Sequence, residues 1–108
     1  MIQLKGFQKQ YLRGKAHGLK PVVLVGQKGL TDALIDSVNE NLNAHELIKV
    51  KFNEHKEKAE KAAICEEIGL RTGSALAGMV GHTAILYRPH PDPERRRFTL
   101  PATPADAR

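Results

Sequence analysis

Four residues near the start of the chain, Gly26-Gln27-Lys28-Gly29, combine two things that can hold a phosphate. The glycines let a ligand approach backbone amides, and the lysine sits at the tip as a flexible point charge. They lie between the apolar, valine-rich run Val22-Val23-Leu24-Val25 and a helix start at Thr31-Asp32. Amides at a helix start lack internal partners and carry the positive end of the helix dipole. The same spacing also describes a plain strand-to-helix turn with positive φ at one or both glycines, and spacing alone leaves both readings open. Two named phosphate motifs do not fit. G-x-x-x-x-G-K-[ST] fails because Leu30 follows Gly29, and G-x-G-x-x-G fails in a chain too short for a doubly wound domain. A G-x-x-G clamp on a nucleic-acid backbone remains open.

No other residues assemble a reaction centre. Cys65 stands in the apolar part of a helix, the place of a buried and inert thiol. His17, His45, His55, His82 and His90 are scattered. Neither His45-Glu46 nor His55-x-Glu57 has a metal-binding partner at helical spacing. Asp32, Asp36 and Glu40 share a helix face that reads most simply as solvated. No nucleophile, base and oxyanion donor converge, so no metal, cofactor or enzymatic activity is expected.

The cations are unevenly placed. The net charge is +5, but residues 1–31 carry Lys5, Lys9, Arg13, Lys15, Lys20 and Lys28 with no acid. Residues 32–67 carry nine acids against five lysines, and residues 68–108 carry six arginines against three acids. One strongly basic third suits a polyanion better than uniform basicity does. Three Phe, two Tyr and no Trp make a ligand platform of stacked rings unexpected, which for a nucleic acid favours a structured over a single-stranded ligand. A single cysteine excludes an internal disulfide and fits a reducing compartment. No signal peptide or run of about 20 apolar residues is present, and a cytoplasmic location with no membrane partner is expected.

The elements that must position these residues follow from periodicity. Leu4, Phe7 and Tyr11 predict an apolar face on a helix over 3–16, with Lys5, Lys9 and Arg13 on another. Residues 21–25 read as a strand buried on both faces. Leu30, Leu34, Val38 and Leu42, with Ile35, give the buried face of a second helix, N-capped by Thr31. Residues 47–52 alternate, turning Ile48, Val50 and Phe52 one way and Lys49 and Lys51 the other, toward water or something anionic. A third helix over 54–71 is charged through Lys61, then apolar at Ala62, Ala63, Ile64, Cys65 and Ile68, with Gly73 as its stop. Residues 75–80 and 82–88 form a hairpin about Gly81-His82. Arg88 closes it and is expected to face outward. The order α-β-α-β-α-β-β gives an α/β fold with a mixed four-stranded sheet packed with helices, its two βα crossovers implying parallel neighbours. Residues 1–100 form the domain and 101–108 a flexible tail.

In combination, a basic helix, LKPVVLVGQKGLT, HELIKVKF, a helix ending in TG, and GHTAILYRP resemble the CRM domain family (chloroplast RNA splicing and ribosome maturation), in its single-domain, bacterial YhbY-like form. The resemblance spans roughly residues 4–100. It implies a fold like the C-terminal domain of translation initiation factor three, RNA binding, and association with precursors of the large ribosomal subunit. The family's G-x-x-G loop falls on Gly26, Gln27, Lys28 and Gly29, which favours the phosphate seat. Further RNA contacts are carried to Lys5, Lys9, Arg13, Lys15 and Lys20, with Arg88 as an additional candidate. GSALAGMV departs from the pattern through an extra glycine. The reading is a monomeric, non-enzymatic protein that binds ribosomal RNA and assists large-subunit assembly, possible partners including ribosomal proteins. The alternative is a protein–protein adaptor docking through Asp32, Asp36 and Glu40.

Overall fold

The alternation along residues 47–52 sets how the layers stack. The computed structural model describes residues 2–107. Its elements are α1 (Gly6–Ala16), β1 (Val23–Val25), α2 (Asp32–His45), β2 (Leu47–Phe52), α3 (Lys58–Thr72), β3 (Ala75–Val80) and β4 (Thr83–Tyr87), followed by short 3-10 turns at Pro93–Arg95 and Pro104–Ala107. Ile48, Val50 and Phe52 of β2 enter one core with Leu34, Ile35, Val38 and Leu42 of α2 and with Cys65 and Ile68 of α3. Leu47 enters the other, with Leu12 and Ala16 of α1 and Ala77, Ile85 and Tyr87 of the hairpin. The sheet therefore carries α1 on one face and α2 with α3 on the other.

The strand order is β1-β2-β4-β3. β1 runs parallel to β2, while β4 lies antiparallel to both β2 and β3. Only the first crossover thus joins parallel neighbours. The hairpin folds back so that β4 occupies the place beside β2 expected for β3. Strand β1 is also not buried on both faces. It is an edge strand of three residues, with Val23 and Val25 in the core and Leu24 57 % exposed.

Local chemistry explains the element ends. Thr31 Oγ1 accepts from the Leu34 amide at 3.0 Å, the cap expected for α2. Gly73 adopts the left-handed conformation at the end of α3, and Gly81 (φ 60) opens the two-residue hairpin turn as a type II′ geometry needs. Helix α1 begins at Gly6, three residues later than the periodicity predicts, because Lys5 is extended and its amide donates to Gln8 Oε1 at 3.0 Å. Its buried residues are Leu12 and Ala16; Leu4, Phe7 and Tyr11 are half-buried beside them. Helix α3 begins at Lys58, and its buried stripe is Lys61, Cys65, Ile68 and Thr72, while Ala62 and Ala63 are exposed. Burial pushes the Cys65 thiol up to about 11, so it stays protonated at neutral pH. Among the described residues no helix is long and apolar enough to cross a membrane.

The chain after β4 is tied down by Glu46. Its carboxylate accepts from the amides of His90 (3.2 Å) and Arg97 (2.7 Å), and its carbonyl accepts from the Arg88 amide (2.9 Å). Phe98 then meets Tyr87 edge-on at 6.4 Å. Beyond Leu100, Pro101 is buried and its carbonyl accepts from Gln8 Nε2 at 3.1 Å.

Candidate nucleic-acid interface

Residues 26–29 close a β-turn in which the Gly29 amide donates to the Gly26 carbonyl at 3.0 Å. Gly29 has φ 65, so the turn itself requires this glycine. A Cβ at Gly29 would also stand 3.2 Å from His55 Nε2. Gly26 is different. Its φ is not positive, and a Cβ there would meet nothing within 4 Å. Gln27 and Lys28 between them are exposed. Among the hydrogen bonds of the described residues, none is donated by either of their amides. Two successive amides and a lysine at an exposed tip can bind an anion.

The first turn of α2 is less suited to that task than its sequence suggests. Thr31 already caps the Leu34 amide, and Asp32 places a carboxylate there, 2.8 Å from Arg71 of α3. The unengaged amides are therefore those of the loop tip, while the helix end is already capped and carries a carboxylate.

The loop leads onto a sheet surface that α1 leaves open. Leu24, Lys51, Thr83 and Val80 are register partners across all four strands. Alternation turns them toward the face that carries α1, yet Leu24 and Val80 are 57 % and 63 % exposed. One step inward, Arg13, His17, Pro21 and Lys49 line a groove with Val80, Thr83 and Ile85. An adjoining groove shares Arg13, His17 and Val80 and adds Phe7, Tyr11 and Lys15. No carboxylate lines either one among the described residues. Lys15 Nζ stands 5.5 Å from the centre of the Tyr11 ring, and Lys20 is exposed just ahead of Pro21.

The structure thus brings Arg13 and Lys15 to the α1 face of the sheet, while Lys20 is exposed on the segment leading into β1. It adds Lys49, Lys51 and His17. The two lysines were visible in the sequence as the wet side of an alternating strand; His17 had no such signal. Lys9 does not join them, and Lys5, at the N-terminal end of α1, lines neither groove. Lys9 lines a separate groove with α3 and the start of β3, at the sheet edge opposite β1. Three strand spacings of about 4.8 Å put roughly 14 Å between those edges. Arg13 is also a packing residue: its Nη1 donates to the Ala77 carbonyl at 2.9 Å. Its Cδ lies where a Cβ of Gly78 would approach to 2.5 Å. The extra glycine of GSALAGMV is therefore a seat for Arg13 at the register shift between Leu76 and Gly78.

Arg88 departs from expectation. It is half-buried and turned inward, with Nη1 donating to Asn39 Oδ1 (2.7 Å) and the Thr72 carbonyl (2.6 Å). Nη2 donates to the Asn39 carbonyl (3.2 Å) and Asn43 Oδ1 (2.8 Å). Four of its five N–H donors are engaged in joining β4 to α2 and the end of α3, which leaves little to offer a phosphate. Burial lowers its pKa from the ordinary arginine value. Asp36 and Glu40 are exposed on α2, as the adaptor alternative requires.

A family model for the CRS1/YhbY (CRM) domain matches residues 4–88. The chain belongs to the CRS1/YhbY (CRM) domain family. A relative from Haemophilus influenzae named "RNA-binding protein" is 40% identical over 101 residues, covering 94% of this chain and 98% of its own. The Bacillus subtilis protein named "Probable RNA-binding protein YqeI" is 37% identical over 98 residues, covering 91% and 99%. The solution structure of the hypothetical protein SAV1595 from Staphylococcus aureus superposes with a TM-score of 0.79 at 29% identity, covering 92% of this chain and all of that one. The CRM fold is thus a three-helix α/β fold on a four-stranded mixed sheet.

Proposed function

We propose that this CRM protein binds structured RNA non-enzymatically, with precursors of the large ribosomal subunit as its target. The observation that carries the reading is a pair of adjoining grooves at the open sheet end, lined by cations and no carboxylate, together with a loop at the end of β1 that has two unengaged amides. The names of its relatives support RNA as the partner class. In this reading one backbone phosphate sits on the amides of Gln27 and Lys28, with Gly26 allowing close approach and Lys28 beside it. Lys51, Lys49, Arg13, Lys15 and Lys20 continue the contact along the backbone. Such contacts fix position and affinity more than base identity, and they make binding salt-sensitive.

Charge reversal tests the path. The pair Lys49→Glu with Lys51→Glu should weaken binding to a structured ribosomal RNA fragment and lower the salt slope by about one for each phosphate contact removed. The pair Lys5→Glu with Lys9→Glu should change it far less. Equal losses from both pairs would show a diffuse attraction in place of a defined track. In cells, the wild-type protein should co-sediment with large-subunit precursors and the β2 pair should not. Loss of co-sedimentation only on reversing Asp36 and Glu40 would favour the adaptor.

A further inference from the structure

The segment between β2 and α3 does more than connect them. His55, at φ 56, reaches back to the Gly26–Gly29 turn, where its Nε2 lies 2.9 Å from the Gln27 carbonyl oxygen. Its Nδ1 lies 3.0 Å from Glu60 Oε2 on α3. A carbonyl and a carboxylate can only accept, so both ring nitrogens must donate for the bridge to be complete. Only the imidazolium has two donors. The ring also lies against Gly29, at the position a Cβ would need. The cation therefore links the loop tip, which carries the two unengaged amides, to the first turn of α3.

Resting on the RNA reading above, we propose that His55 is a positioning residue whose imidazolium holds the G-x-x-G loop in its RNA-binding shape, coupling RNA affinity to proton uptake. The charged groups facing the ring are Glu60 from α3 and Glu54 from its own segment, and both favour the cation. Lys28, next in sequence to Gln27, and Lys56, next to His55 itself, are exposed to solvent. The Gln27 hydrogen bond, then that to Glu60, raises the His55 pKa above its ordinary 6.5, against a smaller opposing effect of burial. A raised histidine pKa gives a bridge that is fully formed below 6.5 and lost as pH rises through the folded value. A phosphate bound in front of the ring favours the cation further, so affinity falls with rising pH on the alkaline side of 6.5.

The test uses the full chain at fixed ionic strength. The first readout is the amide shifts of Gln27, Lys28 and Gly29 followed by NMR across the His55 titration without RNA. They should titrate with the ring in wild type and be flat over that range in His55→Gln, which keeps one donor but cannot be protonated. The second is the affinity for a structured ribosomal RNA fragment from pH 5.5 to 8.5. Wild type should lose several-fold more affinity than His55→Gln across that span. Glu60→Gln should move the wild-type drop to lower pH. The other histidines are common to these proteins, so the differences isolate His55. Loop amides that ignore the titration, or tight binding with superimposable pH profiles, would overturn the coupling alone. Absence of wild-type binding at every pH would contradict the RNA reading and the coupling with it.

Discussion

The two glycines of the loop have different physical reasons. Gly29 is demanded by the fold, through its left-handed φ of 65 and its contact with His55. Gly29→Ala should cost about 1–2 kcal/mol in urea unfolding, the penalty of placing a Cβ in that region. Gly26 is not demanded by the fold, since a Cβ there faces open space. Gly26→Ala should leave the unfolding midpoint unchanged or slightly raised, yet weaken RNA binding if a phosphate comes close to the backbone there. A variant that binds RNA as well as wild type would reduce G-x-x-G to a turn. The sequence exposed both glycines but could not separate them, because φ and open space are properties of the folded chain. His55 was likewise illegible: its partner lies 28 residues away, and its own neighbours suggest only an incomplete metal pair.

At the scale of elements, reading was surest where one periodicity dominated. The α2 cap and stripe and the β2 alternation match the structure because each depends on local spacing. β1 was misread because a continuous apolar run does not say which strands will lie beside it. Here one edge has no neighbour, and Leu24 faces out. The hairpin reversal that puts β4 next to β2 is equally invisible to periodicity. Arg88 follows from that placement, since β4 beside β2 brings it to Asn39, Asn43 and Thr72. Arg88→Ala should cost about 2–3 kcal/mol in thermal unfolding, through lost charged hydrogen bonds and acceptors left behind. Its RNA salt slope should match wild type at temperatures where it is folded. A variant of normal stability and weakened RNA binding would instead return Arg88 to the interface.

For the molecule as a whole, the sequence showed the segregation of charge along the chain but not across its faces. The basic first third divides in space. Arg13 and Lys15 share the open end of the sheet with the lysines of β2, Lys20 and Lys28 are exposed on the segments before and after β1, and Lys9 lies toward the opposite edge. The acids of the middle third fall largely on α2 and α3, the layer behind the sheet, so the grooves on the α1 face carry one sign of charge. Such a surface attracts a polyanion over a range set by salt, and the proposed function makes the loop its fixed point of attachment. The most direct test is the affinity of wild type and Lys28→Glu for a structured large-subunit RNA fragment across a salt series. The account predicts a steep loss of wild-type affinity with salt, and for Lys28→Glu weaker binding with a slope lower by about one. Wild-type affinity at low salt no better than that of a neutral control protein would contradict it.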